Sequence, residues 1–228
     1  MRHIIAIVAA LGAVSCARAA EQAALASGKQ KVSYCLGLNI GQGMKQEQVE
    51  IDIDAFVRGL SDALSGAKPA LTEDEVRDAL TAFQKDLRAK ATERRSSEGA
   101  KAKEEGAAFL AANKKKEGVV TLPSGLQYKV LTEGKGKKPK ATDTVVTHYR
   151  GTLINGTEFD SSRRRGEPAT FPVNRVIPAW TEALQLMSIG SKWMLYVPSE
   201  LGYGENGAGK VIGPNATLIF EVELLEIK

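Results

Sequence analysis

The side chains able to do chemistry gather around one stretch, Val145 to Ser162, VVTHYRGTLINGTEFDSS, with Arg163, Arg164 and Arg165 just beyond it. Tyr149 and Phe159 supply aromatic surface, Asp160 sets a carboxylate at its edge, and the arginines put cations within reach of that carboxylate. Such a set makes a binding wall and offers no activated nucleophile. The histidines are His3 and His148, and strand alternation turns His148 away from Tyr149. Ser161 and Ser162 have no base partner and read as turn residues. Two His and two Cys make no persuasive zinc set. Leu201 to Pro214, LGYGENGAGKVIGP, lacks the GK[ST] ending of a phosphate loop, and Tyr203 between two glycines reads as a lid residue. No metal and no cofactor are expected.

Holding these groups takes a sheet and one helix. Val145, Thr147 and Tyr149 alternate with Val146 and His148, the period of a strand, and Asn155-Gly156 tolerates the positive dihedrals of a tight hairpin that brings Phe159 and Asp160 back. Leu126, Tyr128 and Val130 alternate as a strand; Ala169 to Val173 is a short one carrying Phe171; Gly190 to Val197 is another. Gly134 to Lys140 reads as a flexible basic loop. At the C-terminus Leu218, Phe220, Val222 and Leu224 face one way and Glu221 and Glu223 the other. Val176, Ile177, Trp180, Leu184 and Met187 fall at helical spacing with Pro178 in the first turn. That helix would set Trp180 as the floor of a pocket against the sheet.

The first half of the chain is helical. Lys31 to Lys45 carries Val32, Cys35, Leu36, Ile40 and Met44 as a stripe, with Gly37 and Gly41 on one face, suited to close approach of another helix. Ile53, Phe56, Val57, Leu60 and Leu64 make a second stripe, with Asp52 and Asp54 at its start and Gly66 at its end. Two helices of this length bury too little surface to be stable alone, and a partner chain would supply the rest. Thr72-Glu73-Asp74-Glu75 has the form of a capping box opening a proline-free, charged stretch to Glu117. As one solvated helix it would run about 65 to 70 Å, with Gly99 and Gly106 as weak points; a disordered charged linker after Ala91 is the alternative.

A 228-residue chain with 43% hydrophobic and 25% charged residues is long enough for one sizeable domain plus a smaller one. Its net charge of +4 and short basic patches, Lys137-Lys138-Pro139-Lys140 among them, speak against nucleic-acid binding. Residues 1–20 have the charged, apolar and small-residue order of a secretory signal. Two exits stay open: cleavage at Ala17-Arg18-Ala19, or lipid attachment at Cys16 within Ala13-Val14-Ser15-Cys16. The location expected is the bacterial cell envelope, the periplasm or, with a lipidated Cys16, the outer membrane. Cys35 is either a disulfide across a dimer or a small buried hydrophobe on a helix.

Taken together, VTHYRG, FDSS, VIPAW, GYG and ATLIFEVELL, in this order, closely resemble the FKBP-type peptidyl-prolyl cis-trans isomerases over about Thr121 to Lys228. YCLGLNIG, DAFVRGLSDALSG and ALTEDEV resemble the helical N-domain of the dimeric, macrophage-infectivity-potentiator-like bacterial members. The resemblance implies an α+β chain: a C-terminal antiparallel sheet wrapped around one short helix (118–228), preceded by an all-α dimerisation domain (27–71) and a long connecting helix (72–117). It implies Tyr149, Asp160 and Tyr203 as catalytic residues and Phe159, Arg165, Phe171, Val176, Ile177, Trp180 and Phe220 as substrate-binding residues. Ile177 would offer its backbone N–H to a substrate carbonyl, Tyr203 its hydroxyl to another, and Trp180 the floor under the proline; Arg165 matches the basic partner of Asp160. The implied partners are proline-containing unfolded or nascent envelope proteins and a second copy joined through residues 27–90, with macrolide inhibitors as further ligands. A holdase chaperone activity is compatible with this reading. Ala169, Ala208 and Gly213-Pro214 depart from other members and make the pocket rim smaller.

Overall fold

The structure, a computed structural model, describes residues 25–228. The signal and both readings of Cys16 lie outside the described residues. The chain divides into two compact units, one ending at Arg77 and the other Asp78–Lys228.

The first unit holds α1 (Gly28–Gln46) and α2 (Ile53–Ser65). Ser27 caps α1 in a capping box with Gln30, and Asp52 caps α2 by accepting from the Ala55 N–H at 2.9 Å. Gly66 closes α2 with φ 70°, a left-handed value glycine adopts without a Cβ penalty. Neither helix has a buried residue, and Val32, Leu36, Ile40, Val57, Leu60 and Leu64 are all exposed. Cys35 is a free thiol and exposed, so within one chain it is not the buried hydrophobe that one reading made it. The α1 stripe has no core to enter within one chain, since neither helix of this unit buries a residue.

Next comes α3 (Glu73–Asn113), a continuous helix of 41 residues, so the disordered-linker alternative fails. The expected capping box is formed: Thr72 N–H donates to Glu75 Oε2 at 2.8 Å and Glu75 N–H to Thr72 Oγ1 at 3.3 Å. The helix is exposed over most of its length, as a solvated rod should be, but the expectation that Gly99 and Gly106 are its weak points is overturned. Those glycines and Asn113 are the buried residues of α3, seven apart along one face, and they sit against the sheet unit. A Cβ on Gly99 would lie 3.0 Å from Pro214 Cβ, and one on Gly106 only 2.1 Å from Thr217 Oγ1. Glycine is there for close approach, and the helix is fixed at these positions. Asn113 Nδ2 donates to Gln127 Oε1 at 3.0 Å, and the Phe109 and Tyr196 rings lie 6.1 Å apart.

The sheet strands are β1 (Val119–Thr121), β2 (Gln127–Thr132), β3 (Thr144–Leu153), β4 (Glu158–Ser161), β5 (Ala169–Pro172), β6 (Lys192–Val197) and β7 (Leu218–Ile227). They pair antiparallel in the order β1-β2-β6-β7-β3-β4, with β5 also on β3. One edge of β3 is shared: β5 pairs with Thr144–Thr147 and β4 with Arg150–Thr152. Leu218, Phe220, Val222 and Leu224 of β7 are buried, as alternation requires. They pack in one core with Ala179, Trp180, Ala183 and Leu184 of α5 (Pro178–Leu186); the four-residue α4 (Ser162–Arg165) follows β4 directly.

Three local expectations need correction. The β3–β4 turn has a positive φ at Gly156 alone (86°), with the Gly156 N–H on Leu153 O at 2.9 Å, so Asn155 contributes its side chain to the Thr157 N–H instead of a left-handed backbone. The Gly134–Lys140 loop is pinned at its base: a Cβ on Gly134 would meet Ile189 O at 2.4 Å, and Ile189 N–H donates to Lys137 O at 3.0 Å. The helix bearing Trp180 starts two residues later than the apolar stripe. Ile177 precedes a proline, whose ring bars it from helical dihedrals, so Val176 and Ile177 stay extended.

Candidate functional site

The pocket is built where β3, β4, β5, α5 and the Leu201–Leu218 connection meet. Strand β3 carries Tyr149 inward, 7% exposed, opposite Val222 of β7. Gly151, two residues on, pairs with both Asp160 and Phe220. A Cβ there would be 2.4 Å from Phe159 Cε2 and 2.9 Å from Phe220 Cε1, so the missing side chain is what lets both rings lie over the strand. Trp180 rises from the first turn of α5 into a set of edge-on rings: Tyr149 at 5.2 Å, Phe220 at 5.4 Å and Phe171 at 5.7 Å. Phe159 meets Phe220 at 5.5 Å and 81°. These rings and Val176, Ile177, Tyr203 and Ile212 line a cavity of about 710 Å³, open on one side.

At its edge Asp160 is fully engaged. Tyr149 Oη donates to Oδ2, while Arg165 Nη1 and the Ser161 N–H, the latter at 2.8 Å, donate to Oδ1. Arg165 Nη2 also donates to Tyr149 Oη at 2.9 Å, and its guanidinium carbon lies 5.5 Å from that ring's centre. Burial pushes the Asp160 carboxyl up, but the hydrogen bonds from Tyr149 and Arg165 outweigh it and hold the group below the usual carboxylate range. Burial raises the Tyr149 hydroxyl, helped by its bond to Asp160, and raises Tyr203, where the Asp160 charge adds to it. Asp160 is thus an ionised acceptor already committed to three donors, a poor general base. Tyr203, 39% exposed, has no hydrogen-bond partner among the described residues, and neither has the Ile177 N–H.

Of the residues singled out from sequence, Tyr149, Phe159, Asp160, Phe171, Val176, Ile177, Trp180, Tyr203 and Phe220 all line this cavity, and Arg165 stands behind Asp160. Ser162 has a histidine neighbour that the sequence did not indicate: its Oγ lies 3.0 Å from His148 Nδ1, while its hydroxyl donates to Tyr149 O at 3.2 Å. It also accepts from the Tyr149 N–H at 2.8 Å and is fully buried, which makes it a clasp on β3 with no access to a substrate. Sequence reasoning missed Gly151, Arg175, Lys210, Val211 and Ile212. A glycine inside an alternating strand was the available signal for the first. The apolar pair Val211-Ile212 within a glycine-rich polar loop was the signal for the last two.

Comparison with known proteins agrees with this architecture. Residues 135–225 match the family model described as "FKBP-type peptidyl-prolyl cis-trans isomerase", and residues 29–130 match "Domain amino terminal to FKBP-type peptidyl-prolyl isomerase". The chain belongs to the FKBP-type peptidyl-prolyl cis-trans isomerases. It is 45% identical to the "Outer membrane protein MIP" of Legionella longbeachae, over 100% of this chain and 98% of that protein. It is 50% identical to the FKBP-type 22 kDa peptidyl-prolyl cis-trans isomerase of Escherichia coli, over 86% of this chain and 94% of the other. The crystal structure of FkpA from Escherichia coli matches with a TM-score of 0.73 and 38% identity, covering 90% of this chain and 99% of that one. Among the described residues no helix is long and apolar enough to cross a membrane.

Proposed function

We propose that the cavity between α5 and the sheet is the site at which this isomerase turns X-Pro bonds, with Trp180 beneath the proline ring. Rotation about an X-Pro bond faces a barrier of roughly 18 to 20 kcal/mol because the planar amide is resonance-stabilised. Resonance separates charge between oxygen and nitrogen, and a twisted amide is less polar. A pocket of Phe159, Phe171, Val176, Trp180 and Phe220 therefore disfavours the planar state relative to the twisted one. Ile177 N–H and Tyr203 Oη are free donors for the two peptide carbonyls flanking the ring, and the Tyr149–Asp160–Arg165 network fixes the wall and supplies the local field. The single observation that carries this reading is that network beside a mostly apolar, aromatic-floored cavity. The test is the cis/trans exchange rate of a Leu-Pro peptide with the mature protein and with an Asp160→Ala, Tyr203→Phe double variant. Acceleration that falls in the variant supports the site, and equal acceleration in both refutes it.

The clients best suited to this reading are proline-containing proteins folding in the bacterial cell envelope, supported by the signal-like N-terminus and by a relative named as an outer membrane protein. We also propose a homodimer through the N-terminal helices. Their apolar stripes are uncovered in one chain, and Gly37 and Gly41 lie open on α1, with nothing within 4 Å of where a Cβ would stand. Sedimentation of the mature protein as a dimer, and of a fragment starting near Glu117 as a monomer, is the expected result; a monomeric full-length protein refutes it. Macrolide inhibitors are expected to compete at the same cavity, and a holdase activity is expected to survive the double variant.

A further inference from the structure

One side of the pocket is a lobe of chain whose two ends are tied to the same turn of α3. Tyr203, Ala208, Lys210, Val211 and Ile212 all come from this connection. The lobe closes on itself, with Ala208 N–H on Ile212 O at 2.8 Å and Ile212 N–H on Ala208 O at 3.2 Å, and with Asn215 N–H on Gly204 O at 2.9 Å at its base. It is rich in glycine, at Gly207, Gly209 and Gly213, and Gly207 and Gly209 hold positive φ. Ile212, 8% exposed, anchors its tip in the core with Ala208 packed alongside, and its two arms are tied from outside. Arg95 Nη2 donates to Asn206 O at 2.6 Å on the incoming arm of the lobe, and Asn215 Nδ2 donates to Gly99 O at 3.2 Å at the end of the outgoing arm. Arg95 and Gly99 are four residues apart, one above the other on one face of the helix. Gly99 has no side chain to push Pro214 and Asn215 away.

We propose that Arg95 is a positioning residue of the isomerase: through the Asn206 carbonyl, and together with the Gly99–Asn215 tie, it sets how closely the Tyr203–Ile212 wall stands over the Trp180 floor. The inference rests on the cavity being the catalytic site. Among the described residues the Arg95 guanidinium has one partner, this carbonyl, more than a hundred positions away in sequence. Beyond Tyr203, the Asn206 tie is followed by Ala208, Val211 and Ile212, apolar surface with no donor for the rotating bond, so loosening this part of the lobe should weaken capture more than turnover.

The test uses the full mature chain with Arg95→Ala, Arg95→Lys, Gly99→Val and, as a control on an exposed face of the same helix, Lys101→Ala. KM and kcat for a Leu-Pro peptide are measured beside thermal unfolding. Arg95→Ala is expected to raise KM about three- to tenfold, the size of one ordinary, solvent-exposed hydrogen bond, with kcat and melting nearly unchanged. Arg95→Lys should recover part of the loss, Gly99→Val should reproduce it, and Lys101→Ala should do nothing. Unchanged KM in Arg95→Ala, or an equal rise in Lys101→Ala, overturns the proposal while leaving the pocket assignment standing. An Asp160→Ala, Tyr203→Phe variant as active as wild type would instead overturn the pocket assignment, and this inference with it.

Discussion

Gly151→Ala puts the aromatic wall under direct strain. The new Cβ would lie 2.4 and 2.5 Å from two atoms of the Phe159 ring and 2.9 Å from Phe220. Carbon atoms prefer about 3.5 to 4.0 Å, so relief needs a ring displacement on the order of 1 Å. Neither ring moves freely, since each packs edge-on against the other and Phe220 also against Trp180. Overpacking of this kind costs about 1 to 3 kcal/mol, which lowers the melting temperature by roughly 2 to 4 °C per kcal/mol in a domain of this size. Both rings line the cavity, so exchange catalysis should fall as well, by about tenfold or more. The assay is thermal unfolding with peptide exchange, run for Gly151→Ala, Phe159→Leu and the double variant. Removing the struck ring should recover stability, giving a coupling of at least about 0.5 kcal/mol between the two sites. Strictly additive losses, or wild-type melting in Gly151→Ala, would refute the argument that glycine is there to seat Phe159.

Asp160 makes stability pH-dependent in a stated direction: its carboxyl is depressed in the folded state, so its contribution is present above the unfolded value near about pH 4 and is lost as pH falls through the lower folded one. Melting measured from pH 6 to pH 3 should fall less steeply in Asp160→Asn than in wild type; parallel curves would remove Asp160 as the source. Trp180→Ala is expected to weaken binding at the proline site, and Trp180→Phe to weaken it less, since the buried Nε1 has no hydrogen bond to lose. Peptide titration compares them, and unchanged binding in the alanine variant would take Trp180 out of the pocket. Gly106→Ala, whose Cβ would strike Thr217, should lower melting while leaving α3 helical by circular dichroism.

What sequence could read here was whatever is decided within a few residues. The alternation in β7, the caps at Asp52, Thr72 and Gly66, and the return of the chain at Asn155-Gly156 each depend on neighbours, and each is present. The docking of α3 was not legible in the same way. In a charged helix, Gly99 and Gly106 cost helix propensity, and that local penalty is all a reading by propensity records. Their compensation comes from Pro214, Asn215 and Thr217, more than a hundred positions away. The spacing of seven between Gly99, Gly106 and Asn113 was the one local trace of a packed face. Ile177 shows the converse: the stripe from Val176 suggested helix, and a stereochemical rule about the residue before proline outweighed it.

On the proposed reading, the pocket would orient a peptide with few polar groups near its floor. Tyr149, Asp160 and Arg165 spend their hydrogen-bonding capacity on one another, which leaves a charged triad with little free valence for a ligand. The neutral donors left over near the floor are the Ile177 N–H, one of the amides at a helix start that have no intrahelical acceptor, and the Tyr203 hydroxyl, on the lobe that Arg95 ties. Both suit a backbone carbonyl, which every proline-containing peptide carries, while Arg175 and Lys210 add two charged donors to the lining. On this reading affinity for the proline comes from apolar area and its orientation from two donors to the main chain, so the residue before proline is selected weakly by the pocket's polar groups. Replacing that residue across a series of peptides should change kcat/KM in step with its apolar surface, and a strong preference for an acidic side chain would show that Arg175 or Lys210 on the lining takes part.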